Sequence, residues 1–151
     1  MFPQELCLDA NVFLATTSPL EEGHEDSLRL MELVEQHQTI LYEPAVVLFE
    51  VLSGLRKKAF LKELKEDECE RAIDLFLDLP LLLQWQPLLL KKAYRWARNE
   101  GLKYANDGVY VAVASTRSIP LVTMDGQILK RAGEMVEQIY SPRSLLLTIH
   151  A

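Results

Sequence analysis

The apolar residues of this chain change their period repeatedly, and that alternation restricts the fold more than any other feature. Residues 5–9, "ELCLD", read as a short buried strand, and "EDSLRLMELVEQH" (25–37) places Leu30, Met31, Leu33 and Val34 on one helical side behind early acids. "TILYE" (39–43) is a second strand. Pro44 suits the first position of a helix that continues through "AVVLFEVLSGLRKKAF". Residues 65–79 form an amphipathic helix with an acidic first turn, "LLLQW" (81–85) a strand, and Pro87 opens a helix that Gly101 ends. "DGVYVAVAST" reads as a short buried helix, "PLVTM" (120–124) as a strand, "DGQILKRAG" as a short helix and "VEQIYS" (136–141) as a last strand. Strands parted by helices call for a central, mostly parallel sheet covered on both faces, an α/β/α sandwich. No repeat or linker interrupts the pattern, so residues 1–151 are expected to form a single domain. Residues 17–26 are the most loop-like, and the C-terminal "SLLLTIHA" is apolar enough to pack on the core or on a second subunit.

Charge and cysteine content narrow the function classes. A net charge of −6 argues against non-specific attraction to nucleic acid or an anionic membrane. A polyanionic substrate would therefore need local basic patches or bound cations. Cys7 and Cys69 supply neither a disulfide framework nor a zinc spacing and read as small core side chains. The leucine-rich region 77–90 is broken by Asp78, Pro80, Gln84, Gln86 and Pro87, well short of the ~20 apolar residues a membrane span requires. Asp9 interrupts the first apolar run and no basic segment precedes it, unlike a signal peptide. The expectation is a cytoplasmic protein with no membrane partner.

The acids at element boundaries carry the chemistry. In an open parallel sheet, ligands collect outside the carboxyl ends of the strands. Asp9 ends the first strand and Asp125 follows "PLVTM", so parallel strands place both on one rim. Asp107 opens the helix "DGVYVAVA", and Glu50 sits inside the apolar "VVLFEVL" with small Ser53 and Gly54 one turn on. Each acid has a plainer role available. Asp9 and Asp107 could cap helices, Asp125–Gly126 could make a turn, and Glu50 could meet Arg56, Lys57 or water. Four such acids together point instead to a shared cation, because converging carboxylates repel unless one compensates them. Mg²⁺ or Mn²⁺ matches an all-oxygen donor set and activates phosphoryl centres. His24, His37 and His150 are scattered and are expected at the surface.

At this point "LCLDANVFL", "LFEVLSGL", "YANDGVYVAVA" and "PLVTMDGQIL", in this order, resemble the PIN-domain ribonucleases, and most of all the VapC-type toxins of toxin–antitoxin pairs. The likeness extends over nearly the whole chain. It places the family's four acids on Asp9, Glu50, Asp107 and Asp125, with supporting polar residues at Asn11 and Thr123. It implies a PIN-like sandwich and Mg²⁺- or Mn²⁺-dependent endonucleolytic hydrolysis of RNA phosphodiesters, with the four acids serving as metal ligands and catalytic groups. It also implies a homodimer and an antitoxin partner. Glu50 would ligate a metal or orient the attacking water, while Asn11 and Thr123 would hydrogen-bond carboxylates, water or phosphate.

For RNA contact, Arg56, Lys57 and Lys58 follow Glu50 on the same helix. The face Lys91, Arg95, Arg98 reads as a solvated helix surface, and Trp85, Tyr94 and Trp96 as core or dimer packing. A phospho-receiver domain would have adjacent acids after its first strand and a late lysine, both missing here. A haloacid-dehalogenase-type phosphatase would have an aspartate where Asn11 stands. A non-catalytic RNA- or protein-binding PIN-like domain remains the alternative.

Overall fold

A computed structural model describes residues 1–150. Its strands are β1 (Glu5–Leu8), β2 (Ile40–Pro44), β3 (Leu81–Gln84), β4 (Leu121–Val122) and β5 (Ile139–Tyr140). They form one sheet in the order β3-β2-β1-β4-β5, and every neighbouring pair is parallel. Helices α1 (Ala10–Ala15), α2 (His24–Gln36), α3 (Val46–Phe60) and α4 (Glu66–Leu77) lie in the first half of the chain. They are followed by α5 (Pro87–Asn99), α6 (Gly108–Arg117), α7 (Gly126–Arg131) and α8 (Pro142–Ile149).

The expected α/β/α arrangement is present. Helices α8, α2, α1, α3 and α4 pack in that spatial order, each on the next, while α5 packs on α6, which lies against β1, β2 and β4. The centre of the sheet between them is dry: Leu6, Cys7, Leu8, Leu41, Leu121 and Val122 have no solvent exposure, while the edge strands β3 and β5 are only partly covered. Strands buried on both faces need continuous rather than alternating hydrophobicity, which is why these runs are so uniformly apolar.

Several local expectations shift. Pro44 closes β2 instead of opening α3, whose N-cap is Ala45. Pro44 has no N–H to give a ladder, and pairing continues past it through Ala45 N donating to Gln84 O at 3.2 Å. β4 and β5 shrink to two residues each. The apolar tail forms α8, opened by a reciprocal Ser141–Ser144 capping box and docked on α2, with Leu145 and Leu146 buried and Leu147 left exposed. Trp96 is buried, whereas Trp85 and Tyr94 stand in solvent.

The strand order decides where a site can form. β1 has β2 on one side and β4 on the other, and the connections out of it and into β4 leave in opposite directions. The chain therefore opens a crevice at the carboxyl ends of β1 and β4. Asp9 and Thr123 are the first residues past those two ends.

Candidate active site at the carboxyl rim

Three of the four acids occupy helix N-cap positions, and what their carboxylates do there separates structure from function. Asp125 caps α7: its Oδ1 accepts from Gln127 N at 2.7 Å and Ile128 N at 3.3 Å. Asp9 stands at the N-cap of α1 and Asp107 at that of α6, yet neither side chain makes a capping bond. Asp107 is therefore free of the plainest structural duty available to it, while the Asn11 N–H draws on the Asp9 carboxylate without completing a capping bond.

Asp9 is buried, with 4% of its surface exposed. Its Oδ2 accepts from Thr123 Oγ1 at 2.8 Å, and Thr123 Oγ1 in turn accepts from Asp125 N at 3.0 Å. One hydroxyl thus ties the end of β1 to the start of α7. Asn11 Oδ1 reaches Met124 N at 3.5 Å, a long contact across the same crevice. Glu50 is half-buried on α3 and accepts from Tyr110 Oη at 3.0 Å. It meets neither Arg56 nor Lys57. Burial and the Glu50 charge hold the Tyr110 phenol far above its ordinary range, so it serves as a donor.

The four acids feel one another. Burial raises the Asp9 carboxyl to about 6 against the Thr123 bond and the Asn11 N–H, with Glu50 and Asp125 adding to the rise. Burial likewise raises Asp107 to about 6, aided by Asp9 and by an Asp125 carboxyl within hydrogen-bonding reach. Glu50 is pushed up by burial and by Asp107, and drawn back by Tyr110. No lysine or arginine compensates this charge: the ion pairs among the described residues involve none of the four.

Gly108 places Asp107. A Cβ there would stand 2.7 Å from Ala93 O and 3.1 Å from Ala93 Cα, so only glycine lets α6 start this close to α5.

Among the described residues, no three His, Cys, Asp or Glu side chains form a ready-made metal nest. The donor chemistry nevertheless fits a hard divalent cation. The set is all oxygen, partly buried and mutually repelling, and the cation that would relieve the repulsion is not supplied by the protein. Asp9, Glu50, Asp107 and Asp125 are the residues that could hold it.

The cationic expectation needs correction. Lys58 is 7% exposed and paired with Glu21, with Glu63 at 3.9 Å, so it is not available to RNA. A lysine buried at the end of an amphipathic helix must be paired, and these two glutamates pair it. Arg56 stands 3.5 Å from Glu66 and over the Phe60 ring, still in solvent, and Lys57 is exposed. His24, expected at the surface, is half-buried with Nδ1 2.7 Å from Ala15 O.

Glu43 escaped the sequence reading. It is fully buried at the end of β2, and its Oε1 accepts from Leu8 N at 2.6 Å. Burial and the Asp9 charge keep this carboxyl well above the usual carboxylate range, against the Leu8 bond. The available signal was an acid closing the apolar run "TILY".

The PIN domain family model matches residues 6–134, which takes in all four acids. The chain belongs to the PIN domain family. Solved structures agree with this PIN fold at low identity. PAE2754 from Pyrobaculum aerophilum superposes with a TM-score of 0.70 at 20% identity, covering 97% of this chain and 90% of that one. VapBC2 from Rickettsia felis, bound to a DNA fragment from its promoter, gives 0.64 at 16% identity, covering 91% and 97%. The Mycobacterium tuberculosis toxin VapC20, which cleaves the sarcin–ricin loop, gives 0.64 at 17% identity, covering 83% and 93%. No curated protein sequence matches this PIN domain.

Proposed function

We propose that this PIN domain is a metal-dependent endoribonuclease, the toxin of a toxin–antitoxin pair. One observation carries the reading: Asp9 and Asp107 sit at helix N-caps without capping, and share their electrostatic environment with Glu50 and Asp125 at the β1–β4 crevice. Asp9, Glu50, Asp107 and Asp125 hold Mg²⁺ or Mn²⁺. The ion supplies Lewis-acid polarisation of the phosphoryl group and acidifies water. Thr123 keeps Asp9 ionised and fixed by donating to Oδ2. Glu50, steadied by Tyr110, orients the attacking water and accepts its proton. Asn11 faces the reacting phosphate or its water, and the exposed Lys57, with Arg56, meets the RNA backbone.

The decisive assay incubates the full chain with structured and single-stranded RNAs, including ribosomal and transfer RNA, in Mg²⁺, Mn²⁺ or EDTA. Cleavage that disappears in EDTA and in Asp9→Asn is the expected result. The second reading, a PIN domain that binds RNA or protein without turnover, draws on the missing ready-made metal nest. Binding without cleavage under every metal condition decides for it.

An antitoxin partner follows the character of the structural neighbours, which include VapBC2 and FitAcB from Neisseria gonorrhoeae. An apolar groove of about 450 Å³ between α1, α2, α3 and α4, walled by Phe13, Met31, Leu55 and Phe76, suits an amphipathic segment of that partner. Glu32, Glu35 and Glu68 on its rim, against Arg71, favour basic flanks. A homodimer would cover Leu82, Trp85, Leu88 and Tyr94 at the exposed β3 edge and on α5, and sedimentation at twice the chain mass tests it. No helix among the described residues is long and apolar enough to cross a membrane, and the proposed place of action is the cytoplasm.

A further inference from the structure

β1 enters the site with its backbone held from two sides. Cys7 N donates to Pro120 O at 3.0 Å and Asp9 N to Val122 O at 2.9 Å, both toward β4. The intervening N–H, that of Leu8, faces β2. The ladder with β2 pairs Glu5 with Ile40 and Leu6 with Leu41 and goes no further. Where the next rung would stand, the side chain of Glu43 takes the bond, Oε1 to Leu8 N at 2.6 Å. The Glu43 backbone meanwhile pairs with Leu83 on the far side. Its carboxyl thus bridges the gap where β1 and β2 part, one peptide before Asp9.

Burying a carboxyl completely is costly, and a valine or isoleucine would suit a central parallel strand better on propensity alone. What an aliphatic side chain lacks is an acceptor for Leu8 N, which the splayed strands leave with no backbone partner.

We propose that Glu43 is a positioning residue of the active site: by accepting from Leu8 N across the splayed β1–β2 edge, it sets the backbone that aims the Asp9 carboxylate at the shared cation. The proposal rests on the four-carboxylate reading above. Groups one shell removed from a metal typically alter its affinity by about 10–100-fold when removed.

The test compares Glu43→Gln, which keeps an acceptor of the same reach, with Glu43→Met, which keeps the length and loses the acceptor. Amide exchange at Leu8 and Asp9, followed by ¹⁵N NMR, reports the bond itself without metal. The Mn²⁺ concentration giving half of the maximal thermal shift reports the site. Glu43→Met should lose Leu8 protection and raise the Mn²⁺ midpoint at least about 10-fold. Glu43→Gln should restore both to within about twofold of wild type. A wild-type Mn²⁺ midpoint in Glu43→Met overturns the proposal, and so does a Gln variant as impaired as Met. Should wild type show no Mn²⁺ response, the metal reading falls by itself. Glu43 is then judged on the Asp9 amide resonance, which must move in Met and not in Gln. If Glu43→Met does not fold, Glu43→Asn, one methylene too short to reach Leu8 N, takes its place with the same expectations.

Discussion

Asp9→Asn should make the metal-free protein more stable at neutral pH while destroying its function. Folded Asp9 titrates near 6 against an ordinary 3.8, and its side chain is nearly inaccessible to solvent. Between those two values the folded state binds more protons than the unfolded one, so stability falls as pH rises through the window. The penalty is complete above pH 6 and absent below 3.8. At 1.36 kcal/mol per pH unit it amounts to about 3 kcal/mol at pH 7. Asparagine removes the charge, keeps an oxygen for the Thr123 hydroxyl, and presents an N–H₂ to the neighbouring carboxylates. Asp107, which feels Asp9, is relieved in the same direction. Allowing for imperfect repacking, a gain of about 1–3 kcal/mol should raise Tm at pH 7.5 by about 3–10 °C for a chain of this size. Thermal melts followed by circular dichroism after EDTA treatment, at pH 7.5 and pH 4, measure it. The gain should be present at the first pH and gone at the second, and added Mn²⁺ should stabilise wild type only. A variant that melts at or below wild type at pH 7.5, or whose gain survives unchanged at pH 4, refutes the claim that buried charge is stored at this rim.

Four other substitutions probe separate parts of the site and its surroundings. Tyr110→Phe removes the hydroxyl that donates to Glu50, so the Glu50 carboxyl rises further and the acidic limb of the cleavage pH profile moves to higher pH. An unmoved limb would separate Glu50 from the rate. Gly108→Val drives a side chain into the Ala93 backbone, costing stability by about 1–3 kcal/mol and lowering kcat more than an equally destabilising core change such as Val113→Ala, because Asp107 moves with α6. Lys57→Ala should weaken RNA binding in a salt-dependent way, with no change in Tm. Lys58→Met should leave RNA affinity alone and alter Tm, since its charge is spent on Glu21 and Glu63.

The acids were legible because two simple rules converge on them. Period changes mark where strands end, and parallel topology puts strand ends on one rim. Asp9 and Asp125 needed nothing more. Pro44 misled, because a proline that opens a helix and one that closes an edge of pairing look alike in a single sequence. Whether Asp9 and Asp107 cap their helices was also undecided, since the choice depends on whether a carboxylate turns to its own helix or across the crevice. Asp125, whose plainer role read as a turn, caps α7. Lys58 looked like part of a basic patch because the pattern "RKK" does not show which lysine the helix turns inward.

Local composition by itself determined the strand–helix alternation and the all-oxygen character of the acids, since hydrophobic period and side-chain chemistry are properties of short segments. The parallel sheet that this alternation calls for puts Asp9 and Asp125 on one rim. Tertiary structure alone decided that Asp9 leans on Thr123, 114 positions away, and that Glu43 answers Leu8 across 35. Those partners are chosen by the strand order and by where β1 and β2 part. An N–H left without a backbone acceptor at that parting is a fact of packing, and no stretch of sequence carries it.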